Sequence, residues 1–92
     1  MLSHLYCTKR VRVKDEDEEK EFELFYYLIE RENNEVIEYG VEVKLNKNNI
    51  ITNAEINSFT TVKEYADRFL DFLANGLVTP VSLYEITDDY LA

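Results

Sequence analysis

Apolar and polar positions alternate through the first sixty residues and recur at helical spacing after them, which divides the chain into a β half and an α half. EFELFYYLIE (21–30) and EVIEYGVEVKL (35–45) place apolar side chains at every second position, as strands buried on one face do. Between them, RENN carries two asparagines, which tolerate the left-handed backbone of a tight hairpin turn. With Asn33 and Asn34 as the loop, Leu28 is expected opposite Tyr39, Tyr26 opposite Val41, Leu24 opposite Val43 and Phe22 opposite Leu45. One face is then wholly apolar. A turn within NKNN (46–49) sets Ile50, Thr52, Ala54 and Ile56 against Leu45, Val43, Val41 and Tyr39. KDEDEEKE (14–21), read as a solvated mobile loop, sets Val13 and Val11 opposite Phe22 and Leu24, while Arg12 meets Glu23 on the reverse face.

The second half supplies the cover. TVKEYADRFLDFLANG repeats Val62, Tyr65, Ala66, Phe69 and Leu73 at helical spacing, with Thr61 and Glu64 in a capping-box pattern and Asn75-Gly76 as the stop. In GLVTPVSLYEITDDY, Thr79 is the expected N-cap of a second helix over about 80–90. Pro80 takes its first position, where a missing N–H costs nothing. Leu83, Ile86, Tyr90 and Leu91 follow at helical spacing, and Leu77 and Val78 are expected to bury in a joint of fixed angle. Asp88 and Asp89 oppose the helix dipole, so that end should fray or find a basic neighbour. The predicted fold is α+β: a four-stranded antiparallel meander with two C-terminal helices packed on one face, in a single domain over 1–92.

Composition agrees with a folded core. Of 92 residues 46% are hydrophobic, with seven Tyr and five Phe, too many for a disordered acidic chain despite a net charge of -9. Residues 1–14 hold Lys9, Arg10, Arg12 and Lys14 and no acid, whereas the remainder holds six basic and nineteen acidic residues. That field repels phosphate backbones, so nucleic acid is a disfavoured partner and a protein, or a second copy, a favoured one. No apolar run reaches the length of a membrane span, and the charges in MLSHLYCTKRVRV interrupt any signal-peptide core. A cytoplasmic location is the expectation, with which a lone cysteine agrees.

Candidate chemistry is thin. His4 and Cys7 are separated by an odd number of strand positions, which should turn them to opposite faces with Cys7 toward the helices, where a buried thiol is inert. No further His or Cys completes a tetrahedral metal site. The run DEDEEKE lacks the glycine and spaced ligands of an EF-hand loop. Both glycines are isolated from any phosphate-binding fingerprint, and Gly40 is expected under the ring of Tyr27. No catalytic, metal or cofactor-binding residue is assigned, and no enzymatic activity is expected.

The reverse face of the predicted sheet is the more informative feature. It gathers Phe25, Tyr27, Ile29, Val36 and Ile51 among Glu38, Glu42, Glu55, Arg10 and Arg12. Two helices on one side leave that face uncovered, which makes these five apolar residues a candidate interface with a partner protein or a second copy.

EYGVEVK (38–44) and LANGLVTPVSLYEITDDYL (73–91) resemble a pattern in short proteins of Gram-positive bacteria. In that pattern a Y-G-[IV]-[EV] strand and a helix precede an N-x-V-[ST]-P-[IV]-x-L-x-[DE] segment. The likeness covers residues 9–91 and is most specific at 78–83. It implies a recurring small domain of unknown function and brings no activity, site residue or cofactor. The expected function is a non-enzymatic protein–protein interaction module, homodimeric through the open sheet face. The alternative is an acidic inhibitor or nucleic-acid mimic seated in a basic groove of its partner. Only the second should weaken steeply with added salt.

Overall fold

A computed structural model describes residues 1–91. Four strands form one antiparallel sheet in the order β1-β2-β3-β4: β1 (Leu2–Asp15), β2 (Glu18–Asn33), β3 (Val36–Lys47) and β4 (Ile50–Thr60). They are followed by α1 (Lys63–Asn75), a 3₁₀ turn (Pro80–Ser82) and α2 (Leu83–Leu91). The core lies between one sheet face and the helices. Leu24, Tyr26, Val41 and Val43 from the sheet meet Ala66, Phe69, Leu70, Leu73 and Leu83 from the helices, all fully buried. This is the predicted α+β meander, with both helices packed on that face.

Away from the β1 bulge the faces are as expected, but the pairings differ by two residues, and by four where Tyr39 meets Thr60 rather than Ile56. Leu28 lies opposite Val41 rather than Tyr39, Leu24 opposite Leu45, Val43 opposite Ala54 and Val11 opposite Phe22. The two outer turns are shorter than expected, and the central turn keeps two residues but sits one position later, at Asn34 and Glu35 rather than Asn33 and Asn34. Each hairpin closes through two residues: Glu16 and Asp17, Asn34 and Glu35, Asn48 and Asn49. Asn34, Glu35, Asn48 and Asn49 all have positive φ, between 50° and 67°, as the turns that match strand twist require. Residues 14–21 are therefore mostly paired strand, Lys14 lying opposite Glu19 and Arg12 opposite Glu21, rather than a mobile loop.

Two bulges re-aim side chains. In β1 the register shifts between Leu5 and Cys7, so that His4 pairs with Leu28 and Cys7 with Tyr26. Both partners point into the core, so His4 and Cys7 share the helix side, contrary to the parity expectation; one extra residue reverses parity. In β4 the shift falls opposite Gly40. A β-carbon there would stand 2.0 Å from the Ile56 carbonyl oxygen and 2.4 Å from that of Asn57. Only glycine allows this approach.

The helix ends also depart from expectation. α1 begins after Val62 with no side-chain cap, and Thr60, not Thr61, accepts from the Val62 N–H (3.1 Å). Val62 and Tyr65 are exposed, and Leu70 fills the core position instead. At the other end Gly76 has φ -86° and Leu77 takes the left-handed conformation, φ 51°. The N–H of Val78 donates to the Leu73 carbonyl and that of Leu77 to the Ala74 carbonyl, the paired bonds of a Schellman motif. Leu77 is 43% exposed while Val78 is buried. Pro80 opens the next helical turn as predicted, but that turn is 3₁₀, and no basic residue stands in the last turn of α2.

Candidate interaction surface

On the sheet face away from the helices, the register lines up Leu5, Tyr27 and Glu42 in one cross-strand row and Thr8, Phe25 and Lys44 in the next. Phe25 and Tyr27 are half-buried and Leu5 is 57% exposed. The Lys44 ammonium lies 5.0 Å from the centroid of the Tyr27 ring and shields part of it. Ile51 is exposed two strands across from the β2 row, and Val36 is exposed beside the turn at residues 34 and 35.

Ile29 differs from the other four. It is 1% exposed, because its cross-strand partner is Gly40, over which the β4 bulge folds. That pairing also corrects the expectation that Tyr27 covers the glycine. The five predicted interface residues are thus divided: Phe25 and Tyr27 sit in adjacent central rows, Ile51 and Val36 flank them at a distance, and Ile29 is sealed inside. Leu5, absent from the sequence expectation, joins the Tyr27 row because the β1 bulge sets it opposite Tyr27.

Charge on this face is nearly balanced. It bears Arg10, Arg12, Lys14, Arg31 and Lys44 against Glu19, Glu21, Glu23, Glu38, Glu42 and Glu55. Arg10 lies 3.1 Å from Glu21 and 3.7 Å from Glu23, and Arg12 lies 3.6 Å from Glu21. Asn53 and Ser58 donate to Glu42 and Glu38 at 3.0 and 2.9 Å. The other five basic and thirteen acidic residues of the chain lie elsewhere, so nearly all the net charge of -9 falls outside this face.

A family model of unknown function, DUF6514, matches residues 5–92. The chain belongs to that family. No curated protein and no solved structure matches it. Among the described residues no helix is long and apolar enough to cross a membrane.

The helix side holds two further features. Tyr6, at the β1 bulge, donates to Asp71 of α1 at 2.6 Å, and that bond to a carboxylate, with some burial, pushes its pKa up to about 12. His4 lies 3.7 Å from Glu30 nearby, and the Lys63 ammonium is 2.9 Å from Asp67, which holds the lysine pKa above its usual value. The described residues include no cluster of three or more metal-ligating side chains. Between α1 and α2 runs a groove of about 820 Å³, lined by Phe72, Val78, Ile86 and Tyr90 with Asn75, Gly76 and Asp89. Its walls include the segment that sequence reading treated as a joint. No periodicity announces it, because a groove is the space left between two elements.

Proposed function

We propose that this chain is a non-enzymatic protein-interaction module that associates with a second copy of itself through the reverse sheet face. One observation carries the reading: both helices pack on one side, so the patch of Leu5, Tyr27 and Phe25 stays partly open on the other. Near-neutrality supports a second copy as the occupant. Two chains of net charge -9 repel through most approaches. The face with five basic and six acidic residues offers the least repulsion and supplies apolar area at its centre. A two-fold arrangement uses the same patch on both partners.

Size-exclusion chromatography with light scattering tests this on the wild type and on Phe25→Glu/Tyr27→Glu. The wild type is expected at twice its 10.9 kDa chain mass and the double variant at the single mass with an unchanged circular dichroism spectrum. A wild type that is monomeric at high micromolar concentration sinks the reading.

The second reading, an acidic surface that occupies a basic groove on a partner, rests on the thirteen acidic and five basic residues away from this face. Complex formation that fades steeply with salt would favour it over the sheet-face dimer.

A further inference from the structure

We propose that the groove between α1 and α2 receives the apolar side chains of a basic amphipathic helix from a partner protein. This surface lies on the opposite side of the molecule from the sheet row and is independent of how copies associate. Its floor is apolar and aromatic: the Tyr90 ring lies 5.0 Å from Phe72 and 4.7 Å from Phe69, and Phe72 is 49% exposed although a large aromatic. A concave apolar strip between two helices is the shape that an amphipathic helix fills with side chains spaced three and four residues apart.

Electrostatics selects a basic occupant. Asp89 stands in the groove wall. Of the acids in residues 63–91, Asp67 is paired with Lys63 and Asp71 accepts from Tyr6 of β1, which leaves Glu64, Glu85, Asp88 and Asp89 against Arg68. Neither α1 nor α2 has a basic residue in its last turn to compensate the negative end of its dipole. Lysine or arginine flanking the inserted side chains supplies the missing charge. An acidic helix, or another copy of this acidic chain, is repelled.

The test uses the full ¹⁵N-labelled chain and three two-heptad peptides: leucine–lysine, leucine–glutamate and serine–lysine. The leucine–lysine peptide is expected to shift the amide resonances of Phe72, Gly76, Ile86 and Tyr90. Phe72→Ala should weaken binding about tenfold, as truncation of an aromatic contact at the centre of an interface does. Asp89→Lys should weaken it more than Asp17→Lys, which changes net charge equally at a distant turn. Equal binding of the serine–lysine or leucine–glutamate peptide overturns the proposal, as do no binding at all or equal effects of the two lysine substitutions. Tetramethylammonium that shifts the same resonances as tightly would mark a small-cation site and overturn it too.

Discussion

The hydroxyl of Tyr26, fully buried in the centre of the sheet, donates to the main-chain carbonyl of Val78 at 3.0 Å. Residues fifty-two apart in sequence are thereby joined, and the segment between α1 and α2 is held against the sheet. Burial pushes the tyrosine pKa well above its ordinary value, so the hydroxyl stays a donor at any physiological pH. Tyr26→Phe leaves the Val78 carbonyl buried without this partner and is expected to cost about 1–3 kcal/mol in urea unfolding. A loss below about 0.5 kcal/mol would show that the carbonyl finds another donor.

Gly40→Ala should be among the most damaging single changes. Its β-carbon would meet main-chain oxygens of Ile56 and Asn57, which cannot swing aside as a side chain can. We expect a loss of about 3 kcal/mol, the upper end for overpacking, together with faster amide exchange at Ile29 as the bulge lifts. A thermal melt unchanged from wild type would refute the close approach.

The end of α1 yields a prediction opposite to the usual glycine rule. Gly76 has an ordinary φ, and a β-carbon there comes no nearer than 3.4 Å to the Phe72 oxygen, so Gly76→Ala should be tolerated or stabilise by about 0.5 kcal/mol. Leu77→Gly relieves a left-handed leucine, worth about 1 kcal/mol, which lower unfolded-chain entropy in the wild type partly offsets. Denaturant midpoints of the two variants check this; a Gly76→Ala loss above about 1 kcal/mol contradicts it.

Tyr6 sets a pH dependence. Its folded pKa is raised to about 12 from an unfolded value of about 10, so the bond to Asp71 contributes fully below pH 10 and is lost as pH rises through 12. The site is partly exposed, so the contribution is small. The stability gap between wild type and Tyr6→Phe should be constant from pH 7 to 9 and close between 10 and 12. A gap that survives to pH 12 would assign it to packing instead.

Phe69 has no exposure and its ring packs on those of Phe59, Phe72 and Tyr90. Phe69→Ala is expected to cost about 3–5 kcal/mol by calorimetry or urea titration, which for a chain of this size approaches the whole stability. Phe72→Ala, on the same helix but half-exposed, should cost less than half as much.

The sequence by itself determined the face of the strand residues away from the bulges and most of the core, though Val62 and Tyr65 lie outside it and Leu70 within. Burial on one face imposes a period of two, and Leu24, Tyr26, Val41 and Val43 obey it. That same period cannot distinguish a register from one shifted by two residues, since both leave every apolar side chain inside. Only the place of the central turn, at Asn34 and Glu35 rather than Asn33 and Asn34, decided that Leu28 meets Val41. The candidate face was legible as far as Phe25 and Tyr27. The sealing of Ile29, the recruitment of Leu5 and the shared side of His4 and Cys7 were not, because each depends on a bulge. The β1 bulge adds one residue and the β4 shift adds two, accommodated where backbones from distant segments meet, and the β4 shift closes over Gly40. The groove between α1 and α2 belongs to the same class: Phe72, Ile86 and Tyr90 were read correctly as helical and Val78 as the joint, while the space between them exists only where Tyr26 holds Val78 on the sheet.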